Sequence, residues 1–279
     1  MIIKTSDIEL TKKFIKQLNI PNSDSHKGQN GKLLIIGGSS LFHAASLWAA
    51  EMSSHIVDMV HYSSTEENDQ IFINLKSKFT NGIVIHQKDL FDYASEDDCI
   101  LIGPGMLRGD SDEAKYTRDI TKKMIDSFPN KKFVFDAGAL QMMDPEWLLK
   151  LKTKPIITPH SQEFEKMFNL PATSQSVLEI SHRYQTIVLM KNITDYISDG
   201  EQSFEIVGGN PGLTKGGTGD VLAGLIASLN TKNNQLTSSI TGSILLKKAS
   251  EELGQTVNNW YNTEDLIKQI PKTLQGFYH

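Results

Sequence analysis

Asp220 is the residue whose setting speaks most directly of chemistry. It closes GGNPGLTKGGTGD in the stretch 208–224, where six of the first twelve residues are glycine. Straight after it, Val221, Leu222, Leu225, Ile226 and Leu229 recur on one face at helix spacing. A glycine-rich turn feeding a helix offers unpaired backbone N–H groups and the positive end of the helix dipole, a pairing suited to phosphate. Gly216, Gly217 and Gly219 can take positive φ and let a ligand close to the backbone. Asp220 would then lie beside the anion, where a carboxylate can take a proton from a hydroxyl during phosphoryl transfer. The plainer alternative is a flexible loop whose acid only offsets the dipole.

Four more segments carry unusual residues just past an expected strand. They are Gly103-Pro104-Gly105, Asp136-Ala137-Gly138, Thr158-Pro159-His160 and Lys191. The C-terminal ends of parallel strands share one rim, and ligands of α/β folds bind there. With the turn before Asp220 these segments point to one site. There is no G-x-G-x-x-G after the first strand and no Walker A sequence. No pair of histidines has the spacing of H-E-x-x-H, so no tightly bound transition metal is expected.

The elements that must hold these residues follow from periodicity. Strands are predicted at 32–36, 56–62, 82–86, 99–102, 132–135, 155–157, 186–190, 196–198 and 203–207. Helices are predicted at 7–18, 44–54, 112–128, 144–151, 162–168, 174–184, 218–229, 235–253 and 263–269. The alternation implies parallel βαβ crossovers, and Asp199-Gly200 between the last two strands signals a hairpin with an antiparallel edge. Without an internal repeat or linker, residues 1–279 read as one α/β domain, with 1–26 as an N-terminal helix and loop.

Composition narrows the partners. A content of 39% hydrophobic and 22% charged residues over 279 positions suits a soluble protein with a sizeable core. A net charge of −5 argues against non-specific binding to nucleic acid or an anionic membrane. Cys99 is the only cysteine, which rules out an intramolecular disulfide and fits a reducing compartment. No apolar run has the length of a membrane span, and the acidic residues near the start suit neither a signal nor a transit peptide. A cytoplasmic location is expected.

The segments GKLLIIGGSSLFHAA, GPG, DAGAL, TPHSQEF, VLMK and NPGLTKGGTGDVLAG stand in a familiar order. From about residue 27 to 253 the chain resembles the ADP/ATP-dependent NAD(P)H-hydrate dehydratases of the ribokinase-like superfamily. The resemblance implies a three-layer α/β/α sandwich with a mostly parallel central sheet. It also implies repair of hydrated NAD(P)H (NADHX or NADPHX): ADP or ATP phosphorylates the ring hydroxyl, and phosphate is then eliminated. On this resemblance Asp220 is the base, and the amides around Gly217, Thr218 and Gly219 form the anion hole. Lys191, Asn192, Ile193, Thr194 and Asp195 bind the nucleotide together with Gly219. Ala45, Gly105 and His160 line the hydrate side. Asp136 and Glu163 support the polar network or a bound Mg²⁺, which would arrive with the nucleotide, and Asn210 fixes the loop before the anion hole. A homotetramer and a separate epimerase partner are also implied, since the first thirty residues are too few to hold the epimerising domain fused in some relatives.

The chain departs from the family pattern at Ala44, Leu107, Ser161, Gln162 and Asn192, and in Ser53-Ser54-His55-Ile56 where a glycine-rich stretch is usual. All lie on the substrate or adenine side. Two other readings stay open: a ribokinase-like small-molecule kinase that stops at the phosphate ester, and a catalytically silent nucleotide-binding protein.

Overall fold

A computed structural model describes residues 1–278. Ten strands form one sheet: β1 (Ile2–Lys4), β2 (Lys32–Ile36), β3 (Met59–Ser63), β4 (Ile83–Val84), β5 (Cys99–Ile102), β6 (Lys132–Phe135), β7 (Ile156–Ile157), β8 (Ile187–Met190), β9 (Thr194–Ser198) and β10 (Ser203–Val207). Their order is β1-β10-β9-β8-β7-β6-β5-β2-β3-β4, and only β9 runs against the others.

Eleven α-helices cover the two faces of this sheet among the described residues: α1 (Ile8–Ile15), α2 (Ala44–Ser54), α3 (Glu66–Asn74), α4 (Leu90–Glu96), α5 (Asp112–Ser127), α6 (Ala137–Met142), α7 (Ser161–Phe168), α8 (Ser174–Arg183), α9 (Thr218–Lys232), α10 (Gln235–Val257) and α11 (Thr263–Gly276). Strand alternation divides the core between the faces. Leu33 and Ile35 of β2 join one cluster with residues of α2, α9, α10 and α11. Leu34 and Ile36 join the other with residues of α4 to α8. The result is the expected three-layer sandwich, mostly parallel, with its antiparallel hairpin toward one end.

The order of the sheet reverses between β2 and β5. From β2 the chain moves outward through β3 and β4, and from β5 it moves the other way through β6, β7 and β8. Loops leaving the strand ends at such a reversal part from each other and open a crevice. Here they are Gly37-Gly38 and Gly103-Pro104-Gly105, but a 2.7 Å bond from the Gly38 amide to the Pro104 carbonyl holds them together and leaves only a small hollow beside Gly37, Gly38 and Met106.

Several elements differ from the sequence prediction. The strand expected at 56–62 begins at Met59, because residues 55–57 turn back onto the end of α2 and Asp58 is bound by the amides of Gly28 and Asn30. The helix expected at 144–151 is a 3-10 turn, Pro145–Lys150, capped by Asp144. Helices α3, α4 and α6 were not predicted; each is short, and packing rather than periodicity holds it. Strand β1, also not predicted, has three residues and pairs with β10, about two hundred positions away.

Candidate active site

The base candidate sits where backbone geometry prepares an anion site. Gly217 caps α9 with φ 97°, a conformation that favours glycine. A Cβ at Gly217 would come within 2.5 Å of the Trp48 ring. Thr218 spends its hydroxyl on the carbonyls of Leu213 and Lys215, at 2.7 and 3.0 Å, which shapes the turn. Its amide leans on the Lys215 carbonyl at 3.4 Å. The Gly219 and Asp220 amides, in the first turn of α9, have no carbonyl behind them within the helix.

Lys191 and Asp136 join this turn to the rim of the sheet. Lys191 follows β8 and its ammonium donates to Asp136 Oδ1 at 2.6 Å. The same ammonium lies 3.4 Å from where a Cβ on Gly219 would be. Asp136, at the end of β6, also accepts from the Thr158 hydroxyl at 2.8 Å and is buried. Burial disfavours charge on Lys191, but Asp136, Glu163, the hydrogen bond and Asp220 outweigh it and raise its pKa. For Asp220 the balance runs the other way. Burial first, then the charge of Asp136, push its carboxyl up to about 7 despite Lys191. A carboxyl at that value trades its proton readily near neutral pH.

The next loop along the rim supplies His160 and Glu163. They form a capping box on α7: the Glu163 amide donates to His160 Nδ1 at 3.3 Å, and the His160 amide donates to Glu163 Oε2 at 3.0 Å. Gln141 of α6 donates to Glu163 Oε1 at 2.8 Å. Ala45 and Gly105 meet at the sheet's reversal, where a Cβ on Gly105 would stand 3.0 Å from the Ala45 methyl. Two departures from the family pattern touch each other: Asn192 Nδ2 donates to Ser161 Oγ at 3.1 Å.

On the other side of Lys191 a cavity of about 600 Å³ opens between β8, β10, α9 and α10. Leu213, Leu222 and Leu246 give it apolar walls, and Gly208, Gly209 and Gly219 leave its backbone accessible. Asn192 and Ile193 border it, with Ile193 88% exposed. Asp195 is committed to structure. It accepts from Ser243 Oγ at 2.6 Å and from the Asn192 amide at 3.0 Å, and Lys247 lies 3.4 Å away. Burial raises its pKa against the pull of Lys247. Lys247 also binds the carbonyls of Asn192 and Ile193, which pins the turn 191–194 to α10. Asn210 is a scaffold residue as well: its side chain accepts from the Gly212 amide at 2.8 Å. No side-chain hydrogen bond holds Thr194 among the described residues.

The family described as NAD(P)H-hydrate dehydratase matches residues 33–272. The chain belongs to the NAD(P)H-hydrate dehydratase family. It is 34% identical over 271 residues to the bifunctional NAD(P)H-hydrate repair enzyme Nnr of Methanocaldococcus jannaschii, covering 94% of this chain and 52% of that one. It thus spans about half the length of that relative. It is 29% identical over 296 residues to the ADP-dependent (S)-NAD(P)H-hydrate dehydratase of Nitrosopumilus maritimus, covering 99% of each. Among solved structures, a ribokinase-like superfamily protein from Enterococcus faecalis shares the fold with a TM-score of 0.81 at 21% identity, over 99% of this chain and 96% of that one. The ADP/ATP-dependent NAD(P)H-hydrate dehydratase of Bacillus subtilis, co-crystallised with ATP/Mg²⁺, does so at 0.76 and 20% identity, over 96% and 97%. These likenesses make the fold ribokinase-like.

For a member of the NAD(P)H-hydrate dehydratase family, three contributors to the site were hidden from sequence reasoning. Trp48 reads as an ordinary helix residue until Gly217 is seen against its ring. Gln141 lies on a helix too short to predict. Lys247 stands beside Lys248 in a helical run, and only its burial at 3% exposure and its bonds to the Asn192 and Ile193 carbonyls disclose its role.

Proposed function

We propose that this protein is a lyase that returns hydrated NAD(P)H to NAD(P)H, using ADP or ATP as phosphoryl donor. The observation that carries this reading is the meeting of Asp220, Lys191 and Asp136 at the mouth of α9, in a chain of the NAD(P)H-hydrate dehydratase family. Asp220 takes the proton from the ring hydroxyl, and that oxygen attacks the terminal phosphorus of the nucleotide. The bond between that phosphorus and the rest of the nucleotide breaks, and the shortened nucleotide leaves. The ring C–O bond then breaks with its electrons going to phosphate, the neighbouring carbon gives up a proton, and the double bond returns. Phosphate leaves far more readily than hydroxide, so the protein's task is alignment and charge stabilisation.

Amides at the start of α9 hold the migrating phosphoryl group, with Gly217, Thr218 and Gly219 shaping the hole. Lys191 places a positive charge beside Gly219, facing the nucleotide's phosphates. The cavity lined by Asn192, Ile193 and Asp195 takes the nucleoside, with Asp195 anchoring the turn and Thr194 contributing as part of that turn. The crevice at Ala45 and Gly105, continuing past Asp136, His160 and Glu163, takes the hydrate, and Asn210 steadies the loop between the two. Among the described residues no three ligating side chains converge on one point. Mg²⁺ would enter on the nucleotide's phosphates and offset their negative charge. The ADP dependence named for the Nitrosopumilus relative supports ADP as donor, and a separate epimerase is proposed as partner. We place the enzyme in the cytoplasm as a homotetramer. No helix among the described residues is long and apolar enough to cross a membrane.

The test is incubation of hydrated NADH with ADP or ATP and Mg²⁺. Recovery of reduced-nicotinamide absorbance with release of inorganic phosphate is expected. A stable phosphate ester, or nucleotide binding without turnover, would overturn the reading.

A further inference from the structure

The turn that forms the anion hole is not held by its own helix alone. A short segment that leaves α10 and enters the first residue of α11, residues 259–263, grips it at several points. The Thr263 hydroxyl donates to the Gly216 carbonyl at 2.9 Å. The Lys215 ammonium donates to the carbonyls of Asn259 and Tyr261 and lies 5.2 Å from the centre of the Tyr261 ring. Gly212 lies against that ring, where a Cβ would come within 2.4 Å of it. Gly217 is wedged: a Cβ there would meet Trp48 on one side and, at 2.8 Å, Thr263 Oγ1 on the other.

These contacts bear on chemistry because of what they fix. The lysine of KGGTGD is the cation nearest in sequence to the anion hole, yet its ammonium serves two carbonyls of the grip. The grip itself is anchored. Asn262 and Asp265 form a capping box at the start of α11, with bonds of 2.9 and 3.0 Å, and Tyr261 and Thr263 are buried. A carbonyl held by a fixed hydroxyl cannot rotate, so the peptide plane joining Gly216 to Gly217 is held and the amides that follow keep their aim.

We infer that residues 259–263 are a positioning strap for the phosphate-binding turn, with Thr263 as its principal positioning residue and Lys215 as its tether rather than a phosphate ligand. This rests on the proposed dehydratase reading for its catalytic consequence, but the strap can be measured without substrate.

The experiment compares the full chain with Thr263→Val, Thr263→Ser and Lys215→Met. Amide hydrogen exchange in the peptide 214–224 is read without substrate. Steady-state kcat and KM are read with hydrated NADH and ADP. Thr263→Val should speed exchange in that peptide about tenfold while peptides of the central strands stay unchanged. It should lower kcat about tenfold with the hydrate KM within twofold of wild type, and Thr263→Ser should restore both. Lys215→Met should loosen the same peptide without abolishing ADP binding. Unchanged exchange in Thr263→Val would overturn the strap, as would faster exchange spread over the whole chain that serine does not rescue. Loss of ADP binding in Lys215→Met would show that Lys215 is a ligand and remove it from the tether. A wild-type protein that turns over no hydrate would refute the proposed activity alone, since the exchange result does not depend on it.

Discussion

At the scale of single residues, the site is a contest over where charge resides. Asp136 is buried with Lys191 as its ion pair, while Asp220 faces both and is pushed up to about 7 by burial and by Asp136. In the proposed mechanism Asp220 acts only when ionised, so kcat/KM should rise with pH through about 7 and level off above it. Asp220→Asn should lower turnover by about three orders of magnitude. Its effect on stability has the opposite sign. A carboxyl whose folded pKa lies above its unfolded value keeps its proton on folding, so its charge destabilises the fold progressively as pH rises from about 4 to about 7. The Tm advantage of Asp220→Asn over wild type should therefore widen between pH 5 and 7.5. A constant difference across that range would mean that Asp220 is not held in this environment. Lys191→Met should be costly for a different reason: it leaves Asp136 buried without its partner, a loss of about 3 kcal/mol. Pairing it with Asp136→Asn should recover part of that in chemical denaturation, because the two residues act as a unit.

At the scale of elements, what positions Asp220 is the packing of α9 on α2. Gly224 lies against the backbone of α2, where a Cβ would come within 2.5 Å of the Ala49 carbonyl oxygen. That closeness lets one helix carry Asp220 and the other carry Ala45 and Trp48 within a single site. Gly224→Val should therefore force the two helices apart, with a stability loss of about 2 kcal/mol or more and a larger fractional fall in kcat than in ADP affinity. Thermal melting and steady-state kinetics check both. Much of this scale was legible in the sequence. The apolar run after Asp220 gave α9, and KLLII, CILI and KFVF gave buried strands, because long periodic segments and continuous apolar runs carry their own signal. Helices α3, α4 and α6 carried none, since fewer than three turns hold too few repeats to show a period. The candidate site was legible in type at Asp220, Lys191 and Asp136. The hydrogen bond from Lys191 to Asp136 was not, because 55 residues separate the partners and only sheet order brings β6 and β8 within reach of one another.

At the scale of the whole molecule, the start of the chain reaches the cavity proposed for the nucleotide. Strand β1 pairs with β10, and the chain leaves β10 into Gly208 and Gly209, which line that cavity. Thr5, one residue past β1, bonds to the Val207 carbonyl and to Glu251 of α10, while Glu251 accepts from the Gly209 amide at 2.8 Å. A Cβ on Gly208 would collide with Thr5 Oγ1 and with Glu251, so the absence of a side chain at Gly208 lets Thr5 and Glu251 close this corner. Removing residues 1–6 would uncover the edge of β10 and take from Glu251 the Thr5 hydroxyl, which shares its Oε1 with the Gly209 amide. The crevice proposed for the hydrate runs from the sheet's reversal at β2 and β5 to the ends of β6 and β7, three strands from β10, and has no part in this corner. The truncated protein should therefore show an ADP KM raised about tenfold, equivalent to about 1.4 kcal/mol of binding, with the hydrate KM nearly unchanged. Equal losses for both substrates would mean that β1 supports the sheet as a whole. A selective loss for ADP would tie the first strand of the chain to the recognition of the donor.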